Sequence, residues 1–186
     1  MQSTSYEKEY WNARYRGKPS VEGNNSGYGS YGDQLEQKIN WLRPLKDIKT
    51  ITEIGCGDFN FGSRVVSLYE DVKYSGYDIS DEIIDRNRRA WPQYHFGTME
   101  EAMTPADLVM CVDVLFHVID SEEAKNMVNL IESLWTKYLV VTAYERDEFK
   151  ENHVRIRKFN YERFGTPKLR EIIEEDGQMY FYIFER

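Results

Sequence analysis

The hydrophobic pattern of the chain begins with aromatic residues at helical spacing. Tyr6, Tyr10, Trp11 and Tyr15 fall on one stripe of a helix, which predicts a short amphipathic helix that docks by its aromatic face. A segment rich in Gly, Ser, Asn and Tyr, residues 23–33, follows. The pattern therefore divides the chain into an N-terminal arm with a glycine-rich segment, residues 1–33, and a main body, residues 34–186.

The main body opens with a second helical pattern. Asp33, followed three residues later by Glu36, has the form of a capping box, in which two side chains satisfy amides of the first helical turn. Apolar residues at helical spacing predict the buried face: Leu35, Ile39, Leu42 and Leu45. A helix is therefore expected to start near Asp33.

From Thr50 onward, short apolar strands alternate with amphipathic helices. The segments with strand composition are TITEIG, VKYSGYDI, QYHFGT, ADLVMCVDVLF and YLVVTAYE. The segments with helical periodicity are FGSRVVSLYE, SDEIIDRNRRAW and SEEAKNMVNLIESLWTK. Strands that are apolar throughout are covered on both faces, and intervening helices favour parallel pairing. The predicted class is α/β, with a mostly parallel sheet and helices on both faces.

The end of the chain breaks this alternation. KLREIIEED and QMYFYIFER both have strand composition and flank Gly177, which follows Asp176. This arrangement predicts a hairpin whose second strand runs antiparallel. The preceding residues, 146–167, are predicted to form a loop with a short strand or a turn of helix.

Composition and charge limit the class of protein. A chain of 186 residues with 41% hydrophobic residues is expected to form one domain with a sizeable core. The net charge of -8 disfavours nucleic-acid partners and anionic membranes. No apolar run reaches the ~18 residues of a membrane span, and the N-terminus is polar and aromatic. Cys56 and Cys111 lie in stretches predicted to be buried, which favours core packing over a disulfide or a metal site. We expect a soluble cytoplasmic protein, monomeric or homodimeric, without a metal.

Candidate chemistry lies where the first strand meets its helix. In ITEIGCGDFNFG, Gly55 permits a sharp turn and Gly57 lets a ligand approach the backbone at the helix N-terminus. About twenty residues later the second strand ends in Asp78, where a carboxylate accepts hydrogen bonds from ribose hydroxyls. A glycine turn, a strand-end acid and alternating strands and helices together predict a nucleoside site.

The residues after Gly57 distinguish between two cofactor classes. A dinucleotide places its pyrophosphate on the helix N-terminus, where Asp58 would repel the phosphates. NAD is therefore disfavoured. S-adenosylmethionine presents an ammonium, a sulfonium and a ribose, and acids at strand ends match these groups.

The motifs resemble those of a known family. EIGCGDF, GYDIS and ADLVMCVDVLFHV are similar to successive motifs of class I S-adenosylmethionine-dependent methyltransferases, over about residues 50–145. That resemblance implies a Rossmann-like fold, a seven-stranded sheet and S-adenosyl-L-homocysteine as the product. SGYGSYGD and HVRIRKF are similar to segments of small bacterial methyltransferases often associated with glycan or natural-product pathways.

The resemblance also implies roles for individual residues. Those expected to line the methionine end of the cofactor are Glu53, Gly55 and Gly57, with Asp113 beside it at the exit of the fourth strand. Asp78 is expected at the ribose, and Ile79 and Met99 at the faces of the adenine. The family commonly has a third glycine where this chain has Phe59, which could crowd the cofactor unless Gly62 takes over the close packing of helix on strand.

Candidate catalytic residues follow the fourth strand and lie in the arm. Methyl transfer to a hydroxyl needs an aligned acceptor and a base, and His117 lies just past the fourth strand. A structural role, such as capping the next segment or holding Asp113, is the alternative. Tyr15 and Tyr28 are candidates for orienting the acceptor, and Tyr31 for binding it, although each is also a candidate packing residue.

HVRIRKF alternates cationic or polar residues with apolar ones. If the segment is extended, His153, Arg155 and Arg157 point the same way. Guanidinium groups recognise carboxylates and phosphates, which predicts an anionic acceptor such as a sugar, nucleotide-sugar or carboxylic acid. A solvated strand paired with nearby glutamates is the alternative.

The glycine-rich segment of the arm has two interpretations. A class I cofactor lies open to water until something covers it, so the arm could be a lid, with Tyr28 and Tyr31 on its hinge-like segment. A disordered linker is the alternative, since glycine, serine and asparagine favour one.

Rival functions also remain. A nucleic-acid or protein methyltransferase is one, although DVLF lacks the proline motif of amino-directed base methyltransferases. A non-catalytic protein that binds S-adenosylmethionine is the other.

Overall fold

Helices and strands alternate along the computed structural model, which describes residues 5–17, 32–151, 154–174 and 178–186. The α-helices are α1 (Ser5–Arg16), α2 (Gly32–Leu42), α3 (Asn60–Val66), α4 (Asp81–Ala90) and α5 (Ser121–Leu134). The strands are β1 (Thr50–Ile54), β2 (Lys73–Asp78), β3 (His95–Thr98), β4 (Ala106–Cys111), β5 (Trp135–Tyr144), β6 (Glu148–Glu151), β7 (Val154–Ile156), β8 (Leu169–Glu174) and β9 (Met179–Glu185). Short 3₁₀ turns span Leu115–His117 and Tyr161–Phe164.

Seven strands form a mixed sheet in the order β3-β2-β1-β4-β5-β9-β8. β1 pairs with β2, β2 with β3, and β4 with β5 in parallel, whereas β9 runs antiparallel to both β5 and β8. The predicted α/β class, the parallel strands and the antiparallel C-terminal hairpin are confirmed. The chain divides into two compact units, Met1–Ala102 and Met103–Arg186.

The first unit is built on β1, β2 and β3. Ile54 of β1 lies beside Tyr77 of β2, and Asp78 lies beside Thr98 of β3. Because the strands are parallel, their carboxyl ends share one edge, and the glycine turn and Asp78 both lie there. The buried residues Leu35, Ile39, Leu42 and Leu45 confirm the predicted buried face of α2 and the residues after it.

The aromatic stripe predicted for α1 is only partly correct. Trp11 and Tyr15 are buried, but Tyr6 is 57% exposed. Glu7 is buried instead, so the packed face consists of residues four apart, Glu7, Trp11 and Tyr15. Successive turns of a helix superimpose positions i and i+4, and Tyr6 lies about 100° away from that line.

The helix boundaries differ slightly from the predicted ones. α2 begins at Gly32, so Asp33 lies inside its first turn, where a negative charge is favourable, rather than before it. α3 ends at Val66, several residues short of the predicted FGSRVVSLYE. Only Phe61, Gly62, Val65 and Val66 of α3 are buried, and the following turn leaves the core.

The second unit is built on β4, β5, β9 and β8. α5 passes directly into β5 at Trp135, so the WTK end of the predicted helix is strand. Residues 146–167, predicted to be a loop with a short strand or a turn of helix, contain two paired strands, β6 and β7, and the 3₁₀ turn at Tyr161–Phe164. A cluster of Tyr144, Ile156 and Met179 anchors β7 to β5 and β9. The side chains of Cys111 here and of Cys56 in the first unit are both buried, as predicted, and neither is part of a disulfide.

Candidate active site

The turn after β1 is shaped by two glycines. Gly55 and Gly57 have φ angles of 73° and 49°, a left-handed conformation that costs a residue with a Cβ atom free energy. The amides of Gly55 and Cys56 both donate to the carbonyl of Tyr77, at 2.7 and 3.0 Å. The turn is thereby fastened to the end of β2.

Asp78 links the glycine turn to the start of α4. Its Oδ2 accepts a hydrogen bond from the amide of Gly57 at 3.0 Å, and its Oδ1 accepts one from the amide of Ser80 at 3.0 Å. Burial raises the pKa of Asp78 to about 6, against the lowering effect of the amides of Ser80, Gly57 and Ile79. The carboxyl is therefore ionised at neutral pH and aimed at backbone amides.

Asn87 supports the same turn from α4, a role that the sequence pattern did not reveal. It is buried, and its side-chain amide donates to the carbonyl of Gly57 at 2.8 Å. A signal was available, because Asn87 lies three and four residues after Ile84 and Ile83, on the apolar face of the helix. A polar residue on a buried face usually has a specific partner.

Glu53 lies beneath the turn, in the core of the first unit. It is buried, and the hydroxyl of Tyr74 donates to its Oε2. Burial raises the pKa of Glu53 to about 8, with smaller contributions from the negative charges of Asp58 and Asp78. Its carboxyl is therefore mostly protonated at neutral pH.

Phe59 fits into the fold without filling the turn. Its backbone is left-handed, with φ of 65°, and its buried ring packs against four aromatic rings at centroid distances of 4.7 to 5.5 Å. Those rings belong to Tyr74, Trp91, Tyr94 and Phe96. A Cβ atom on Gly62 would lie 2.3 Å from Glu53 Oε2. Gly62 thus provides the close approach of helix and strand that the sequence suggested for it.

Ile79 and Met99 lie beside Asp78 at the ends of β2 and β3. Both side chains are partly exposed, and the amide of Met99 donates to the carbonyl of Asp78 at 3.1 Å. The structure therefore brings six of the predicted cofactor residues to one edge of the first unit: Glu53, Gly55, Gly57, Asp78, Ile79 and Met99.

Asp113 occupies the corresponding exit of β4 in the second unit. Its φ of 59° marks a tight turn. Its amide donates to Thr142 Oγ1 at 2.5 Å, and the Thr142 hydroxyl donates back to Asp113 Oδ1 at 3.0 Å. Thr142 is fully buried on β5 and was not among the predicted site residues. Its hydroxyl fixes the direction of the Asp113 carboxylate.

His117 ends the 3₁₀ turn that follows Asp113. Its side chain is half-buried, and its ring lies 4.4 Å from that of Phe116, which packs edge-on against Tyr144 at 5.5 Å. His117 is therefore held at the side of an aromatic surface at the end of β4.

The guanidinium of Arg157 binds the chain just beyond His117. It donates to the carbonyl of Val118 at 2.5 Å, to the carbonyl of Ile119 and to Ser121 Oγ at 3.3 Å. Arg157 therefore has a structural role, which the alternating pattern of HVRIRKF did not predict. Arg155 is half-buried on β7.

The remaining predicted site residues lie in or near the arm and the β6–β7 hairpin. Tyr15 is buried in α1, and its carbonyl accepts a hydrogen bond from Arg86 at 2.6 Å. Tyr28, Tyr31 and His153 lie outside the described residues.

A cleft of about 390 Å³ opens within the second unit. Its apolar walls include Leu115, Phe116, Tyr144 and Phe159, at the ends of β4 and β5 and on the chain after β7. The charged residues that line it are all cationic: Lys125, Arg157, Lys158 and Arg163. Arg163 already donates to Glu132 and to Asn129.

Two features are absent from the part of the chain that the structure describes. None of its helices is both long and apolar enough to cross a membrane. Within the same ranges, no three His, Cys, Asp or Glu side chains are grouped so that they could hold a metal ion.

Comparisons by sequence give no relative, since no protein-family model and no curated protein matches the chain. Comparisons by structure do. N-methyltransferase NodS from Bradyrhizobium japonicum, in complex with S-adenosyl-L-homocysteine, has a TM-score of 0.68 at 12% identity, over 97% of this chain and 98% of that chain. Magnesium protoporphyrin IX methyltransferase from Synechocystis, with bound S-adenosylmethionine, has a TM-score of 0.60 at 18% identity, over 100% and 98%.

An O-methyltransferase family protein from Burkholderia thailandensis has a TM-score of 0.60 at 14% identity, over 81% of this chain. The match spans 55% of that longer protein. These identities are low, and what the likeness establishes is the architecture. Together with the strand order, it shows that the chain has the Rossmann-like fold of class I S-adenosylmethionine-dependent methyltransferases.

Proposed function

We propose that the protein is an S-adenosylmethionine-dependent methyltransferase that acts on a small-molecule acceptor with an anionic group, such as a sugar, nucleotide-sugar or carboxylic acid. The observation that carries the proposal is the buried Asp78 carboxylate at the end of β2, joined to the glycine turn through Gly57. S-adenosylmethionine, when bound, supplies the methyl group.

The residues at this edge fit the cofactor chemically. A carboxylate can accept about four hydrogen bonds, so Asp78 has capacity for a ribose hydroxyl beyond its bonds from Gly57 and Ser80. The partly exposed Ile79 and Met99 offer apolar contacts for a flat base. The Phe59 ring packs into the aromatic cluster with Tyr74 and Phe96, and Gly55 of the turn is partly exposed.

The acceptor site is assigned to the cleft of the second unit. An acceptor with an apolar or ring body would contact Phe116 and Tyr144, and its anionic group would face Lys125 and Lys158. Arg157 contributes by holding the residues after His117 in place. In this assignment His117 takes the proton from an acceptor hydroxyl, because it lies beside the Phe116 wall.

Isothermal titration calorimetry with S-adenosyl-L-homocysteine tests the cofactor assignment. Asp78→Ala should weaken binding by roughly 1.5–3 kcal/mol, since hydrogen bonds to a charged group are lost. The matched control is Asp85→Ala, which removes an exposed acid from α4 and should leave affinity unchanged. A folded wild type that shows no heat with this ligand would refute the methyltransferase proposal.

The affinity should also depend on pH. The ionised Asp78 carboxyl accepts ribose hydroxyls better than the protonated form does, and its pKa in the free protein is about 6. Binding should therefore be constant near pH 8 and weaken as the pH falls through 6, by up to about tenfold per pH unit. Asp78→Asn should abolish that inflection, and a profile shared by both proteins would assign it to another group.

Turnover measurements test the acceptor assignment, with labelled cofactor and a panel of sugar phosphates, nucleotide-sugars and carboxylic acids. His117→Ala should lower kcat about a hundredfold with cofactor affinity retained, because proton removal is needed only along the reaction path. Lys158→Met should raise KM for the acceptor and leave kcat close to the wild-type value. Arg155→Ala should have the same effect, since Arg155 is also assigned to the acceptor site. A neutral acceptor that all three variants use equally well would contradict the assignment.

A further inference from the structure

A chain of hydrogen bonds connects the N-terminal helix α1 with the glycine turn. It begins at Asn12, whose Oδ1 accepts from the hydroxyl of Ser80 at 2.7 Å and from the amide of Glu82 at 3.3 Å. Ser80 is the N-cap of α4 and is fully buried. Helix α1 thus supplies an acceptor to the first turn of a helix 68 residues further along the chain.

Ser80 carries the connection to the cofactor edge. Its hydroxyl oxygen accepts from the amide of Ile83 at 3.4 Å, and its own amide donates to Asp78 Oδ1 at 3.0 Å. The other oxygen of Asp78 accepts from the amide of Gly57. One uninterrupted series of contacts therefore runs from Asn12 through Ser80 and Asp78 to Gly57.

Asn12 determines which group donates in each hydrogen bond of this series, because a serine hydroxyl has only one proton to donate. With that proton donated to Asn12, the lone pairs of Ser80 Oγ are available for the helix amide, which is the geometry of an N-cap. If Asn12 lost its oxygen, a buried hydroxyl would lack its acceptor, and its proton would turn towards another group. The first turn of α4, which holds Ser80 against Asp78, would loosen.

Besides the hydrogen bond from Arg86 to the Tyr15 carbonyl, two ion pairs join α1 to the same helix. Lys8 pairs with Asp81 at 3.0 Å, and Arg16 pairs with Glu82 at 3.3 Å. The side chains of these ion pairs are between 24% and 65% exposed to solvent, and ion pairs that water reaches contribute little to stability. Asn12 differs from them because its partner Ser80 is buried and contacts the proposed ribose-binding acid directly.

We propose that Asn12 is a positioning residue for the cofactor site, which couples the docking of α1 to ligand binding at Asp78. The inference rests on the proposed function, since it concerns the same ligand. Coupling of this kind is reciprocal: docking of α1 favours the ligand, and the ligand favours docking of α1 to the same extent.

Three variants of α1 test the proposal by calorimetry with S-adenosyl-L-homocysteine. Asn12→Ala removes both acceptor contacts and should weaken binding roughly three- to tenfold, the usual range for a lost hydrogen bond. Asn12→Asp keeps an acceptor oxygen for both donors and should restore affinity to within about twofold of the wild type. Arg16→Gln removes an exposed ion pair to Glu82 and is the control, with unchanged affinity expected. If Asn12→Ala does not fold, Asn12→Gln is used in its place, because it displaces the acceptor oxygen by one methylene.

The change in hydrogen exchange of α1 on ligand binding is a readout that a purely structural role of Asn12 would not alter. S-adenosyl-L-homocysteine should slow exchange of the α1 amides in the wild type and in Asn12→Asp, but much less in Asn12→Ala. Without ligand, Asn12→Ala should speed exchange of the Gly57 and Ser80 amides, which both donate to Asp78, and Arg16→Gln should not.

The outcomes separate the two proposals. A wild type that binds the ligand, with Asn12→Ala binding equally well and showing the same protection of α1, overturns the coupling and leaves the methyltransferase proposal intact. A wild type without affinity for the ligand overturns the proposed function. In that case exchange of the Gly57 and Ser80 amides in the free protein still decides whether Asn12 acts on the turn.

Discussion

At the scale of single residues, Gly62 has a stringent steric requirement near the turn. A Cβ atom there would lie 2.3 Å from Glu53 Oε2 and 2.8 Å from both Phe59 Cδ2 and the Tyr74 hydroxyl. All three groups are buried, so none has free space to move into. Interiors are packed too tightly to absorb an added methyl group without strain.

Gly62→Ala should therefore destabilise the protein by roughly 1–3 kcal/mol, the range for overpacked cores. The measurement is urea unfolding followed by circular dichroism. Gly17→Ala is the control, because a Cβ atom on Gly17 would lie 3.4 Å from the Arg14 carbonyl, an ordinary contact, and should change stability by at most about 0.5 kcal/mol. Equal midpoints for the two variants would show that α3 can shift away from β1.

The residues around the glycine turn show which contacts could be predicted from the sequence. Glycines before a strand-end acid predicted a turn and a ligand, and the structure places Gly55, Gly57 and Asp78 in one hydrogen-bonded group. The contributions of Tyr74 and Asn87 were not predicted. The spacing of Tyr74 does not distinguish it, and Asn87 stands out only as a polar residue on an apolar helix face, which indicates a partner without identifying it. Their partners are 21 and 30 residues away.

At the scale of elements, periodicity predicted the type of each element better than its ends. Apolar strands β1 to β5 lie where the pattern indicated, and so does the hairpin of β8 and β9. The junction of α5 with β5 was not predicted, because Trp135 lies four residues after Ile131 and so continues the helical spacing of α5. Trp135 pairs with Ala106 of β4, and this pairing makes it the first residue of β5.

For helix α1, the sequence predicted the element but not the surface on which it docks. Its aromatic residues predicted a docked amphipathic helix, and Trp11 and Tyr15 are buried. The surface that receives it could not be read from spacing. It is the N-terminal half of α4, selected by contacts from Asn12 and Lys8 to residues of its first turn and its N-cap.

At the scale of the whole molecule, two kinds of carboxyl group change the free energy of unfolding with pH in opposite directions. Glu101, Glu145 and Glu185 are held by basic side chains or amides that lower their pKa. They favour the folded state increasingly as the pH rises. Glu53 behaves the opposite way, because burial raises its pKa to about 8.

The contribution of Glu53 can be isolated. Its folded-state pKa lies above its unfolded value of 4.5, so the native state binds more protons between these values and loses stability as the pH rises through 8. Between pH 6 and 9, the unfolding free energy of the wild type should fall by roughly 1 kcal/mol or more relative to Glu53→Gln, since each pKa unit corresponds to about 1.4 kcal/mol. Denaturant titrations across that range measure it, and parallel profiles would mean that Glu53 ionises freely in the fold.

The sequence by itself determined the alternation of strands and helices, the antiparallel hairpin, and the acid and glycines of the turn. These features are local: they depend on spacing along the chain and on the conformational range of single residues. Tertiary structure alone decided which partners those residues have, such as Asn12 for Ser80, Thr142 for Asp113, and the backbone of residues 118 and 119 for Arg157. Such pairs join residues far apart in the chain, and their formation depends on how the packed elements are oriented, which no periodicity records.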